Sequence, residues 1–134
     1  MGFLIERREK EGIAILDLAA SLVAGEAAGS LRDTVRQMAS EGRLNVVLNL
    51  ERVDHIDSTG LGSMVVCFTT LRKGGGRLVL LNLKRRHMDL LVLTKLYTVF
   101  EVFDNEQDAV NSFFPDRLIR HFDILRFIEA QRPD

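Results

Sequence analysis

A chain of 134 residues that is 46% apolar and 28% charged has the size and composition of one globular domain with a substantial core. Its 18 basic and 19 acidic side chains leave a net charge of -1, which removes any bulk electrostatic case for nucleic acid or an anionic membrane. Cys67 is the single cysteine and can form neither an internal disulfide nor a thiolate metal site. No basic segment followed by an apolar stretch opens the chain, and no apolar run approaches the ~20 residues of a membrane span. Glu6 also breaks the usual myristoylation pattern after Gly2. The expectation is a soluble, cytoplasmic domain.

Periodicity gives alternating strands and helices. Residues 3–8 and 13–18 are apolar-rich runs joined by the turn-like Glu9-Lys10-Glu11-Gly12, which predicts a hairpin. A small-residue stretch over 19–25 follows. Ala24, Ala27, Ala28, Leu31, Val35 and Met38 then recur at helical spacing, and Gly42 marks the stop. Residues 45–50, Asn-Val-Val-Leu-Asn-Leu, read as a strand buried on both faces, with a loop over 51–57 after it. Leu61, Met64, Val65, Phe68 and Leu71 share one helical face, ended by Gly74-Gly75-Gly76. A buried strand over 77–83, a helix over 87–96, a short strand over 99–103 and a helix over 106–114 complete the pattern. The order β-β-α-β-α-β-α-β-α predicts a small α/β sandwich, a mixed, mostly parallel sheet of about five strands covered by helices.

Pro115 breaks this pattern and divides a domain over 1–115 from a helical extension over 116–134. In the extension Leu118, Ile119, Phe122, Leu125 and Ile128 form one stripe, widened by Ile124 and Phe127. Packing of this helix on its own domain is the first expectation. The alternative is a face for a second copy through Phe122, Leu125 and Ile128, because so apolar a helix needs cover.

The most informative segment is Val53-Asp54-His55-Ile56-Asp57-Ser58-Thr59-Gly60-Leu61-Gly62, between a buried strand and a helix. Ser58 stands where an N-cap is wanted, and Asp57 beside it is a further candidate to help cap the helix or to orient the Ser58 hydroxyl. Gly60 and Gly62 lie in the first turn, where each costs about 0.5–1 kcal/mol relative to alanine. Two together point to a steric reason, either close helix–sheet packing or close approach of a partner. A helix start favours an anion, so a phosphoryl group on Ser58 or Thr59 fits there without unfolding the domain. It would bring about -1.5 to -2 charges beside Asp54 and Asp57 and repel an acidic or apolar partner. From spacing alone, a plain helix cap is the preferred reading.

The run Ile56-Asp57-Ser58-Thr59-Gly60-Leu61-Gly62, preceded by Val46-Val47-Leu48-Asn49-Leu50, resembles the STAS domain of anti-sigma factor antagonists. The similarity extends over residues 3–114, through Gly74-Gly75-Gly76-Arg77-Leu78 and Lys95-Leu96 before Val99-Phe100. The resemblance implies that Ser58 is the phospho-acceptor, with Thr59 the lesser candidate, and that the kinase is a partner that is also an anti-sigma factor. The unmodified form would bind that partner through Asp54, Asp57, Ser58, Thr59, Gly60, Leu61 and Gly62. Phosphorylation would end the complex and a phosphatase would reset it, with no enzyme activity in this chain. One departure stands out. Family antagonists often carry Gly-x-Leu/Ile-Asp at the end of the second strand, where this chain has Ala20-Ser21-Leu22-Val23. That favours an alternative, a STAS-type interaction scaffold without a covalent switch in another signalling complex.

Other polar groups call for simpler readings. Asp54, His55 and Asp57 lack the geometry and further ligands of a metal site, so neither metal nor cofactor is expected. Ser58 lacks a Gly-x-Ser-x-Gly elbow, which argues against a hydrolase. Gly74-Gly75-Gly76-Arg77 follows a helix and precedes a strand, the reverse of a phosphate loop. Lys84-Arg85-Arg86-His87 is a basic run at a helix start, where it opposes the helix dipole and so gains mild support as a binding element. Cys67 is expected to be a buried thiol, and Phe100, Phe103, Phe113 and Phe114 to be core.

Overall fold

The computed structural model describes residues 2–131. Five strands, β1 (Leu4–Lys10), β2 (Ile13–Leu22), β3 (Asn45–Ile56), β4 (Arg77–Leu81) and β5 (Val102–Phe103), form one sheet in sequential order. β1 pairs antiparallel with β2 across the Glu11-Gly12 turn, and β2 to β5 run parallel. The connecting helices are α1 (Glu26–Ser40), α2 (Ser58–Lys73) and α3 (Arg85–Leu93), the last followed by a 3-10 turn over Leu96–Thr98. α4 (Glu106–Asn111) and α5 (Ile124–Ala130) follow β5.

Parallel crossovers of one hand that always step in the same direction put their helices on one face of the sheet. The main core follows from this. Leu31, Val35 and Met38 of α1 and Met64, Cys67 and Leu71 of α2 pack on Leu16, Leu18, Val46, Leu48, Leu50 and Leu80. Each such side chain contributes about 1.5–3 kcal/mol on burial. The opposite face is covered by α4, whose Ala109 and Val110 meet Ile15, Val47, Val79 and Phe103, with Phe113, Phe114 and Ile119 packed beside them. Beyond α4 that face carries a polar row instead. Asp17 accepts from Arg8 Nε at 2.6 Å and from Asn49 Nδ2 at 2.8 Å, and Asn82 Nδ2 reaches Asn49 Oδ1 at 3.2 Å.

Several element ends differ from the sequence reading. β2 continues through the small-residue stretch to Leu22, and the expected loop over 51–57 is strand as far as Ile56. The reason is visible in the register. Asp17 and Ala19 face Asn49 and Arg52, and Ala20 and Leu22 face Val53 and Ile56, so β3 twice holds an extra residue. Such bulges destroy the strict two-residue alternation by which a strand is recognised. Ala20 sits at φ 71, in the left-handed region that favours glycine. Further on, β4 stops at Leu81, α3 starts two residues early and ends at Leu93, β5 shrinks to two residues and α4 ends at Asn111. Phe100 and Phe103 are core, whereas Phe113 and Phe114 are half-buried beneath the guanidinium groups of Arg77 and Arg117.

The extension is not one long helix. After Pro115 the chain runs alongside β5, with Phe122 N–H donating to the Val102 carbonyl at 3.0 Å, before the short α5. Asp123 caps α5 by accepting from Arg126 N–H. The expected stripe is therefore split. Ile124 is buried, Phe122, Phe127 and Ile128 are half-buried on the domain, and Leu118 and Leu125 face solvent. Packing on its own domain is the arrangement observed, and of the residues expected to meet a second copy only Leu125 is exposed.

Candidate functional site

The site grows out of the end of β3. Ile56 is the last strand residue, and Asp57, extended at φ -93 and ψ -178, turns the chain into α2. Asp57 is the N-cap, which corrects the assignment of that role to Ser58. Its Oδ1 accepts from Gly60 N–H at 2.7 Å and its Oδ2 from Ala24 N–H at 2.9 Å, so one carboxylate ties the α2 start to the β2–α1 loop. A carboxylate on a short side chain reaches the free N–H groups of a first turn as well as a hydroxyl does. The backbone N–H groups of Ala24 and Gly60 hold the Asp57 carboxyl below its ordinary acidity range.

With the cap supplied by Asp57, Ser58 becomes the first helical residue. Ser58 and Thr59 are both exposed, and among the described residues the Ser58 hydroxyl makes no hydrogen bond. The two glycines separate in role. A Cβ on Gly60 would lie 2.0 Å from the Leu22 carbonyl oxygen, so Gly60 permits α2 to pack on the end of β2. A Cβ on Gly62 would meet nothing within 4 Å, so Gly62 leaves an open, exposed surface one turn from Ser58. Leu61 is buried and anchors the turn from below. Asp54 is an exposed strand residue rather than a loop residue, with its carboxylate 3.7 Å from Lys84 Nζ.

An open groove of about 660 Å3 adjoins this turn, lined by Phe3, Ala20, Val23, Ala24, Ala27 and Arg52, among others. Ala24 belongs to both the groove wall and the Asp57 contact, and Val23 puts an apolar group in that wall.

The other candidates sit apart from this surface. Among the described residues no group of three His, Cys, Asp or Glu side chains is arranged to hold a metal, and no helix is long and apolar enough to cross a membrane. Cys67 is 1% exposed between α2 and α1, and burial pushes its thiol up to about 12, where it stays protonated and unreactive. His87 is buried and His55 exposed. The basic run does not project outward as a unit. Lys84 donates to the Val53 carbonyl at 2.8 Å and Arg86 Nε to the Asp54 carbonyl at 2.5 Å. Sequence reasoning missed these contacts, although the clash of a basic run with a helix N-terminus was the signal that it had another task.

The profile of the STAS domain matches residues 5–109. An anti-sigma-B factor antagonist of Bacillus subtilis is 33% identical over 92 residues, covering 66% of this chain and 84% of that protein. The crystal structure of a candidate anti-sigma factor antagonist of Thermotoga maritima superposes with a TM-score of 0.76 at 23% identity, over 81% of this chain and 93% of the other. SpoIIAA, a Bacillus cell fate determinant in its phosphorylated form, gives a TM-score of 0.64 at 20% identity, over 83% of this chain and 98% of the other. The STAS profile covers most of the chain: this protein belongs to the STAS domain family.

Proposed function

We propose that this chain is a non-enzymatic, cytoplasmic anti-sigma factor antagonist switched by phosphorylation of Ser58. The observation that carries the reading is the division of labour at the α2 start. Asp57 does the capping, so the exposed Ser58 hydroxyl is free of structural duty and can be modified without cost to the helix. Thr59 is the second hydroxyl of the same turn. The names of the relatives support the partner class, an anti-sigma factor; that this partner is also the serine kinase, and that a phosphatase reverses the modification, is part of the proposal. That a neighbour of this fold exists in a phosphorylated form supports the same assignment.

In this reading the unmodified surface formed by Asp54, Asp57, Ser58, Thr59, Gly60, Leu61 and Gly62 docks the partner. Gly62 lets the partner's backbone approach closely, and buried Leu61 and Gly60 hold the turn in place. Transfer of a phosphoryl group to Ser58 adds about -1.5 to -2 charges next to Asp54 and Asp57. The helix N-terminus tolerates that anion, so the fold persists while the docking surface becomes strongly acidic. The test starts with paired baits, wild type and Ser58→Asp, in the native lysate, followed by calorimetry with the protein recovered. Ser58→Asp should bind at least about tenfold more weakly, a loss of about 1.4 kcal/mol, with an unchanged melting temperature.

A second reading is favoured by Val23 in the groove wall, an apolar side chain at the position where the resemblance would place an Asp. It makes the chain a constitutive scaffold that uses the same surface without modification. Equal recovery of one partner by both baits would select it.

A further inference from the structure

β3 is longer than its neighbour on one side. Its pairing with β4 ends at Asn49 opposite Leu81, while pairing with β2 continues to Ile56 opposite Leu22. The seven residues that lead to Asp57 and Ser58 are thus an overhang with a strand on one side only. The chain leaving β4 turns into α3, and three side chains from the start of α3 reach back to this overhang. Lys84 Nζ donates to the Val53 carbonyl at 2.8 Å, Arg86 Nε donates to the Asp54 carbonyl at 2.5 Å, and His87 Nε2 lies 3.2 Å from that same oxygen.

His87 differs from the other two. It is 3% exposed, and its Nδ1 is buried with no hydrogen-bond partner. A carbonyl oxygen only accepts, so the proton of the neutral ring sits on Nε2 and Nδ1 presents an unused lone pair. A second proton would go on Nδ1, where nothing receives it. The surrounding charge is unfavourable as well. Lys84 is the N-cap residue of α3 and Arg86 lies in its first turn, and His55 lies on β3 beside the Asp54 carboxylate, which already faces Lys84. α5, packed against α3, meets it through Arg85 and Gln131. We propose that the first turn of α3 is a proton-releasable clamp, which fixes the β3 overhang carrying Asp57 and Ser58 while His87 is neutral and lets it go when the ring is charged.

Burial holds the His87 ring below its ordinary value of 6.5, so it is neutral at physiological pH and the clamp is closed. Once the ring swings into water it regains that ordinary value. About one pH unit below it, the open form gains up to about tenfold in population over the closed one, the limit being reached when only the open form takes up the proton. The inference goes beyond the proposed switch and does not depend on whether Ser58 is modified.

The experiment is amide hydrogen exchange on the full chain, expressed as protection factors, at about pH 7.5 and about pH 5.5. Protection over residues 53–58 should fall by up to about tenfold at the lower pH, and the fall should depend little on added urea, which marks local opening of the overhang rather than unfolding of the whole domain. His87→Gln keeps an N–H donor but cannot be charged, and its protection over 53–58 should be the same at both pH values. His55→Gln should retain the full wild-type response, which controls for the exposed neighbour. Constant wild-type protection across this range overturns the proposal. So does an equal fall in a folded His87→Gln protein. Where His87→Gln does not fold, loss of the response in His55→Gln would overturn it instead, since the titrating group would then be His55.

Discussion

At the scale of single residues, the α2 turn shows how one motif hides different physical demands. Gly60 and Gly62 look alike in sequence, yet one is required by packing and the other by nothing within the domain. Gly60→Ala should cost about 3 kcal/mol, because its new methyl group must push away the backbone of Leu22. Gly62→Ala should gain about 0.5–1 kcal/mol by stiffening the helix. Urea denaturation of both variants checks this pair, and a stable Gly60→Ala would show that the turn is looser than its geometry implies. If Gly62 is kept open for a partner, Gly62→Ala should bind that partner more weakly while being the more stable protein. Ala20 is the opposite case, a side chain held at φ 71 where glycine would carry no strain. Holding an L-residue in that region costs about 1–2 kcal/mol.

At the scale of elements, the tail and the β3 overhang are both pieces that the parallel crossovers leave uncovered. Residues past Pro115 shield β5, a two-residue edge strand that would otherwise expose its backbone. They also place Ile124 against the core, with Phe122, Phe127 and Ile128 beside it. Ile124→Ala should therefore destabilise the protein by about 2–4 kcal/mol. Leu118→Ala, at a side chain 94% exposed, should change stability by less than about 0.5 kcal/mol. Thermal denaturation of the two separates a packed tail from a dangling one. Similar small effects at both positions would mean that the tail is not docked in solution.

At the scale of the whole molecule, the polar row on the open face of the sheet ties β1, β2, β3 and β4 together, and Glu106 of α4 joins it through Arg8. Burial alone would raise the pKa of Asp17, but its hydrogen bonds from Arg8 and Asn49 outweigh that and hold the carboxyl below its ordinary value. Glu106 is lowered chiefly by its hydrogen bond from Arg8. At Glu101 burial is again the largest influence, and bonds from Arg77 and His121 overcome it. A carboxyl lowered in the folded state binds fewer protons there than in the unfolded chain. Its stabilisation is full above the ordinary values of 3.8 for Asp and 4.5 for Glu and is lost as pH falls through the folded values. Urea midpoints should thus be flat above about pH 6.5, dip slightly as His87 is charged, and fall steeply below about pH 4. Asp17→Asn should flatten the steep limb, and a midpoint unchanged down to about pH 3 would contradict this account.

What the sequence determined by itself was whatever depends on local periodicity or a short signature. The buried run Val46-Val47-Leu48, the helical stripe Leu61-Met64-Phe68-Leu71 and the Asp-Ser-Thr-Gly-Leu-Gly turn were legible because their patterns rest on neighbours a few residues away. The fold class and the place of the candidate site were read from these. Tertiary structure alone decided which residue caps α2, how far β3 runs and what the basic run does. Asp57 wins the cap because Ala24, from another part of the chain, shares its carboxylate. β3 reaches Ile56 because bulges against β2 replace alternation, and no single strand records its partner's register. The stripe after Pro115 divides for the same kind of reason: which side of it is covered is set by the exposed edge of β5 and by α3, elements distant in sequence. Lys84, Arg86 and His87 point back at β3 because β4 ends early, and that absence is a property of the sheet rather than of any segment.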